Sequence, residues 1–219
     1  MKQLFTLLLL LISANTWGQS ALIKEKWHNR RTAWDIFIGP KLGADFSTCT
    51  ELGGKWKPGV TAGMFSEVYL SPKVSCKIAL DYAMKGTNDA GLAHPEAFSE
   101  DYETGHVNDY TLHYLDIDYT LHVYPVPQWS IYTGLGVSQL VDANTKGADG
   151  VNHNIKKDVR KGSLALPVGM TYTLGNWVID GRFTYSFHKL AHSYRAQFIL
   201  GKARNMSAQI TIGYRIQIM

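Results

Sequence analysis

The chain has 219 residues, a net charge of +4, and is rich in Gly (20) and Tyr (12). After loss of an export segment, that length suits one domain of moderate size. The charge is too small to point to nucleic acid, and no run of like charges reads as a disordered tail. The Gly and Tyr content favours turns and strands over helices.

The first 18 residues read as a secretory signal. Lys2 is the positive start, Leu4 to Ile12 is a short apolar run, and Thr16 and Gly18 have the spacing a signal peptidase prefers. Cleavage after Gly18 leaves Gln19 as the new first residue. The run is too short to stay in a bilayer as an anchor, and no Cys follows the cleavage region to carry a lipid. Residues 19–33 form a basic leader with Lys24, Lys26, Arg30 and Arg31 around Trp27. It is expected to be a flexible periplasmic arm, with contact to a periplasmic partner as the sharper alternative.

Past the signal, no apolar stretch reaches the roughly 18 residues of a membrane helix. A helical membrane protein is thereby excluded. A β-barrel is not, because its strands need only about 9–11 residues of alternating polarity.

From Trp34 onward, segment after segment alternates with period two. The first runs from Trp34 to Phe46, the second from about Gly59 to Leu70, the third from Val74 to Gly86 and the fourth from about Thr111 to Tyr124. The fifth covers Trp129 to Val141, the sixth Gly162 to Leu174, the seventh Trp177 to His188 and the last Asn205 to Ile218. In each, one face is apolar, as in Leu115, Ile117, Tyr119, Leu121 and Val123. The other is small or polar, as in Asp116, Asp118, Thr120 and His122.

Short turns at 71–73, 125–128 and 175–176 alternate with longer links near 47–58, 87–110, 142–161 and 189–204. This predicts an all-β fold over 34–219: an eight-stranded antiparallel up-and-down transmembrane barrel, with short periplasmic turns and long extracellular loops. Trp34, Trp129 and Trp177 each begin an upward strand on the apolar face, as a membrane-interface belt would.

Alternation leaves open which face is outside, and a soluble lipocalin-like barrel with an apolar ligand cavity is the alternative. The polar face favours the membrane reading. It is built of Gly, Ser, Thr and Asp rather than the Lys and Glu of a wetted wall. Its charged members are Asp35, Asp45, Glu67, Asp81, Asp116, Asp118 and Asp180, against Lys41, Lys77, Lys85, Arg182 and Arg215. Near-balanced signs allow mutual pairing, and eight strands enclose a lumen just wide enough for side chains to fill. A plugged interior is expected, not an open pore. On this map Cys49 and Cys76 fall toward opposite ends of the barrel, which argues against a disulfide.

Several segments carry a resemblance. Ile38-Gly39-Pro40-Lys41-Leu42-Gly43-Ala44-Asp45-Phe46-Ser47 resembles the first strand of the PorT-like, or porin-family, outer-membrane barrels of Bacteroidetes. Gly59 to Phe65 resembles their second strand and Ala83 to Gly86 the strand ending before the long second loop. Tyr114 to Ile117 resembles the fourth-strand entry and Gly213 to Ile216 the closing strand. The resemblance implies an eight-stranded barrel in the outer membrane and no catalytic residue set. Some members of that family serve protein secretion.

Candidate chemistry is sparse. The link 87–110 is acidic, with Asp89, Glu96, Glu100, Asp101, Glu103 and Asp109 and no Lys or Arg, and it also holds His94 and His106. Carboxylates and imidazoles can bind a divalent cation, but the link lacks the ligand spacing of a cation loop, so it is expected to be solvated, with no metal and no cofactor, and cation binding stays the alternative. Lys156, Lys157, Arg160 and Lys161 make a basic patch that could meet lipopolysaccharide phosphates, with plain solvation or pairing with the acidic link as equal alternatives. Ser186 and His188 share one strand face, so an enzyme modifying outer-membrane lipid A, as deacylase or acyltransferase, is a second alternative. Same-face neighbours stand about 7 Å apart, marginal for a nucleophile–base hydrogen bond, and no orienting acid is placed by the sequence. The leading expectation is a non-enzymatic outer-membrane protein that acts through its outer loops or with an envelope or secretion partner. Mass spectrometry of the exported protein is expected to find Gln19 at its N-terminus.

Overall fold

The computed structural model describes residues 32–91, 108–146, 152–192, 197 and 200–218. The signal 1–18 and nearly all of the leader lie outside the described residues, as do Glu96, Glu100, Asp101, Glu103, His94 and His106. The strands are β1 (Ile36–Cys49), β2 (Lys55–Ser71), β3 (Val74–Ala90), β4 (Asn108–Val126), β5 (Trp129–Lys146), β6 (Asn152–Asn154), β7 (Gly162–Leu174), β8 (Trp177–Ser186), β9 (Asn205–Tyr214) and β10 (Ile216–Gln217). All neighbouring pairs are antiparallel. β6 is a branch on the outer end of β5, and β10 continues β9 past Arg215. Eight staves therefore stand in sequence order, and β1 closes the ring against β9 and β10.

The stagger of this ring follows from its register. Paired residues lead from Thr173 through Val178, Gly213, Lys41, Gly63, Asp81, Asp116 and Ser138 back to β7 at Ser163, ten residues from the start. With a rise of about 3.3 Å and strands about 4.8 Å apart, that tilts the strands by roughly 40° and sets a backbone radius of roughly 8 Å. Such a cylinder has room inside for side chains and little else.

Burial decides which face is which. Leu42, Leu135 and Met64 are 65%, 61% and 60% exposed, whereas Asp45, Asp81 and His122 are 0% exposed. The apolar residues wrap the outside and the polar ones fill the inside. That is the inverse of a water-soluble barrel, and it overturns the lipocalin-like alternative. On β4 the outward apolar residues run from Leu115 to Val123, a band roughly 20–25 Å tall at this tilt, close to the height a hydrocarbon core requires.

Several predicted boundaries shift. The first link shrinks from 47–58 to the five residues between Cys49 and Lys55, because both strands run on past the membrane band. β3 continues to Ala90, β4 starts at Asn108 and β5 reaches Lys146. These extensions carry polar residues on both faces, so hydropathy alternation fades where the ladder does not. Trp34 precedes β1 in a turn with φ 76°, held by its N–H donating to the Tyr69 carbonyl at 2.6 Å. In addition, β8 ends at Ser186, leaving His188 beyond the strand.

The seam of the ring depends on one close approach. A Cβ at Gly39 would stand 1.7 Å from the Tyr214 carbonyl oxygen, on the strand that closes against β1. Gly39→Val is expected to abolish the compact form seen on unheated detergent gels. Gly181→Ala, where a Cβ would meet nothing within 4 Å, is expected to retain it.

Candidate functional site

The lumen is occupied from end to end. At the end with the short turns, Glu67 accepts hydrogen bonds from Ser75 Oγ (2.6 Å) and Tyr124 OH (2.5 Å), and Tyr69 OH donates to Tyr124 OH (3.0 Å). His122 stacks on Tyr132 and bonds Thr120 and Ser130. Lys77 stands opposite Glu67 in the ladder, its ammonium 5.0 Å from the Phe65 ring centre. Asp35 accepts from Thr32, and the Arg215 guanidinium donates to the Gly175 carbonyl while lying over Phe37.

The middle of the barrel is an ion-pair lattice. Asp81 Oδ2 pairs with Lys41 (2.6 Å) and Arg182 (3.0 Å), and Arg182 also grips Asp118 and Gln209. Gln209 donates to Asp45 (2.5 Å), Lys85 pairs with Asp116 (2.6 Å), and Tyr132 OH donates to Asp180 (2.6 Å). Asp81 and Asp116 face each other across β3 and β4, an arrangement of like charges that is unfavourable by itself. Each is matched with its own cation, which removes the conflict. Glycines make the space: a Cβ at Gly63 or Gly136 would strike the Asp81 or Asp118 carboxylate at 2.2 and 2.5 Å.

Above the lattice an apolar plug closes the outer end. Leu52, Leu112, Tyr114 and Leu140 pack there with Val159, Leu190 and Leu200 from the outer loops. Cys49 is buried in this plug with a free thiol, and burial pushes its ionisation up to about 12. Cys76 is also free and exposed on the outer wall.

The sequence-derived candidates separate in space. Trp129 and Trp177 sit at the short-turn end against Tyr172 and Tyr214, with ring centres 4.9 and 5.1 Å apart. Asp89 and Asp109 belong to strands, not to a loop: Asp89 pairs with Lys55 (2.6 Å), and its N–H donates to Asp109 (2.9 Å). Among the described residues no group of His, Cys, Asp and Glu could hold a metal ion. Ser186 points into the lumen, but His188 spends its Nδ1 accepting the Leu164 N–H (3.0 Å). The two form no hydrogen bond with each other, and among the described residues no carboxylate orients the imidazole. On the outer end, Asp142 anchors β6 through Asn144 and Asn154 at 2.8 Å each, bonds that hold its carboxyl below the usual carboxylate range.

Of the four basic residues singled out in the 142–161 link, Lys156, Lys157 and Lys161 are solvent-exposed, and only Arg160 turns into a cavity. That cavity is about 650 Å³, and its other cations, Lys189, Lys202 and Arg204, come from the β8–β9 connection. The scattered spacing of these residues hid them. A signal was nonetheless available, since the chain has no Asp or Glu after Asp180.

Residues 28–192 match the family described as outer membrane protein beta-barrel domain. The chain belongs to that family. Among solved structures, a major outer membrane protein from Thermus thermophilus superposes with a TM-score of 0.51 at 12% identity, covering 83% of this chain and 99% of that one. Ail of Yersinia pestis, solved with the heparin analogue sucrose octasulfate, gives 0.48 at 17% identity over 83% and 99% of the two chains. Neisserial surface protein A gives 0.48 at 10% over 83% and 97%. No curated protein matches the sequence. The family, and the fold shared with the Thermus protein, place this chain in the bacterial outer membrane as an eight-stranded barrel.

Arg182 touches Asp81, Asp118 and Gln209 at once, so its loss leaves buried carboxylates unmatched. Arg182→Met is expected to destabilise the barrel by about 3–5 kcal/mol, read from urea unfolding in detergent. The further change Asp118→Asn should recover part of that loss.

Proposed function

We propose that this protein is a non-enzymatic outer-membrane barrel that works through its outer surface, not through its lumen. The observation that carries the reading is the occupied interior: a lattice of paired charges capped by an apolar plug. What remains available to other molecules is the lipid-facing wall, the extracellular end and the periplasmic leader.

The extracellular end is the better candidate. Lys156, Lys157, Arg160 and Lys161 stand among cations at the rim, where each is worth on the order of 1 kcal/mol beside an anionic surface. Lipopolysaccharide phosphates are the natural occupants of that surface. Trp34, Trp129 and Trp177 fit a belt at the periplasmic interface, where amphipathic rings settle at headgroup level. The basic leader 19–33, freed by cleavage after Gly18, is the segment through which an envelope or secretion partner would be met. The strand motifs quoted above favour the PorT-like barrels of Bacteroidetes as the finer family.

Against a lipid-modifying enzyme stands the engagement of His188 with backbone rather than with Ser186. The reading predicts that the purified barrel, inserted in a planar bilayer, shows no steady ion conductance above the bare membrane. A stable open channel would sink the occupied-lumen reading.

A further inference from the structure

The cavity beside Arg160 has the makings of a binding site. Its frame is fixed by the two outer loops pairing with each other. Val159 and Ala191 form an antiparallel bridge, Arg160 N–H donates to the Leu190 carbonyl (2.8 Å), and His192 N–H donates to the Asp158 carbonyl (2.9 Å). Val159, Leu190 and Ala191 are at the same time buried in the apolar plug, so the hydrophobic contact that closes the barrel also holds this wall in place.

The chemistry of the lining is one-sided. Arg160, Lys189, Lys202 and Arg204 converge on it, and among the described residues no carboxylate lines it. Arg160 carries a second mark: its Nε is buried without a hydrogen-bond partner. Arg204 is steadied by Tyr185, whose hydroxyl accepts from its guanidinium at 3.1 Å. Cations gathered with no carboxylate among the described residues repel one another until an anion sits among them, and guanidinium forks suit the oxygens of a phosphate.

Position selects the source of that anion. Phe187 lines the cavity and is 46% exposed on the same apolar wall as Phe183. The site therefore opens where the lipid-facing wall meets the outer surface, at headgroup height. We propose that this cavity binds the phosphate-bearing headgroup of an outer-leaflet lipid, with the phosphate among Arg160, Lys189, Lys202 and Arg204 and the acyl chains along the wall below Phe187. The inference rests on the reading that the outer end contacts anionic lipid, and narrows it from a charged rim to one site.

The test uses the mature protein in phosphatidylcholine nanodiscs containing a minor share of phosphatidic acid, a phosphomonoester lipid. Native mass spectrometry counts the lipid retained, and a heat shift on detergent gels checks that each variant is folded. Preferential retention of phosphatidic acid is expected. Lys189→Gln with Lys202→Gln should lower it about tenfold or more, and Arg160→Gln should lower it as well. Lys55→Gln with Lys146→Gln removes the same charge from exposed sites outside both the cavity and the basic rim patch and should change retention less than twofold.

Equal losses from the two lysine pairs would overturn the site while leaving diffuse contact between the rim and lipid standing. Binding of inorganic pyrophosphate in pure phosphatidylcholine discs, without preference for phosphatidic acid, would overturn the lipid occupant in favour of a soluble anion. Failure to retain phosphatidic acid by folded protein that still binds lipopolysaccharide would overturn the site alone. Failure to bind either would remove the wider reading with it.

Discussion

A chain crossing hydrocarbon must satisfy every backbone N–H and C=O within itself, and here the β1–β9 ladder is where that requirement is finally met. Until Lys41 through Cys49 pair with Gly213 through Asn205, the sheet has two open edges that lipid tolerates poorly. Closure with a ten-residue stagger then fixes the radius, and the radius decides what the interior can hold. Gly39 belongs to this constraint because the closing carbonyl of Tyr214 occupies the place of its missing side chain.

The narrow interior explains the odd inventory of the inward face. Buried charge is expensive unless matched, and a cylinder this tight offers no bulk water to solvate it. The solution is lateral. Arg182 on β8 reaches Asp81 on β3, Asp118 on β4 and Gln209 on β9, tying distant strands together across the lumen. Lys41 and Lys85 extend the lattice to either side. In a soluble domain an apolar core would do this work. Here the apolar residues are needed outside, so paired charges and glycine-made space fill the centre instead.

Period-two alternation made the strands, the inward charges and the outward apolar residues readable in the sequence. A one-residue slip would flip every side chain to the wrong face, so the pattern is strongly constrained inside the membrane band. Outside that band the constraint lapses. Lys55-Trp56-Lys57 and Thr87-Asn88-Asp89 lie in strands, with Thr87 buried, but they carry no apolar–polar alternation, and nothing in their hydropathy separates them from loop. The outer cavity was harder still to read. It unites Arg160 with Lys189, Lys202 and Arg204, residues brought together by the Val159–Ala191 bridge. That contact is set by tertiary packing of two loops, and spacing along the chain carries no trace of it. Ser186 and His188 show the converse: two residues of suggestive spacing, which take different partners once β8 ends at Ser186.

The plug and the rim are best understood together. Leu190, Leu200 and Val159 come from loops and could have been polar if sealing the barrel had been left to the ion-pair lattice. Burying them over the mouth instead draws the loops down onto the barrel, and the residues that adjoin them in sequence are then held at its edge. Arg160 follows Val159, and Lys189 precedes Leu190. The seal thus aligns the cations: a rigid apolar floor converts scattered basic residues into one charged wall beside the lipid. Among the described residues no carboxylate lines this gathering of like charges, and their mutual repulsion works against the packing beneath. That cost is what the proposed lipid phosphate would offset.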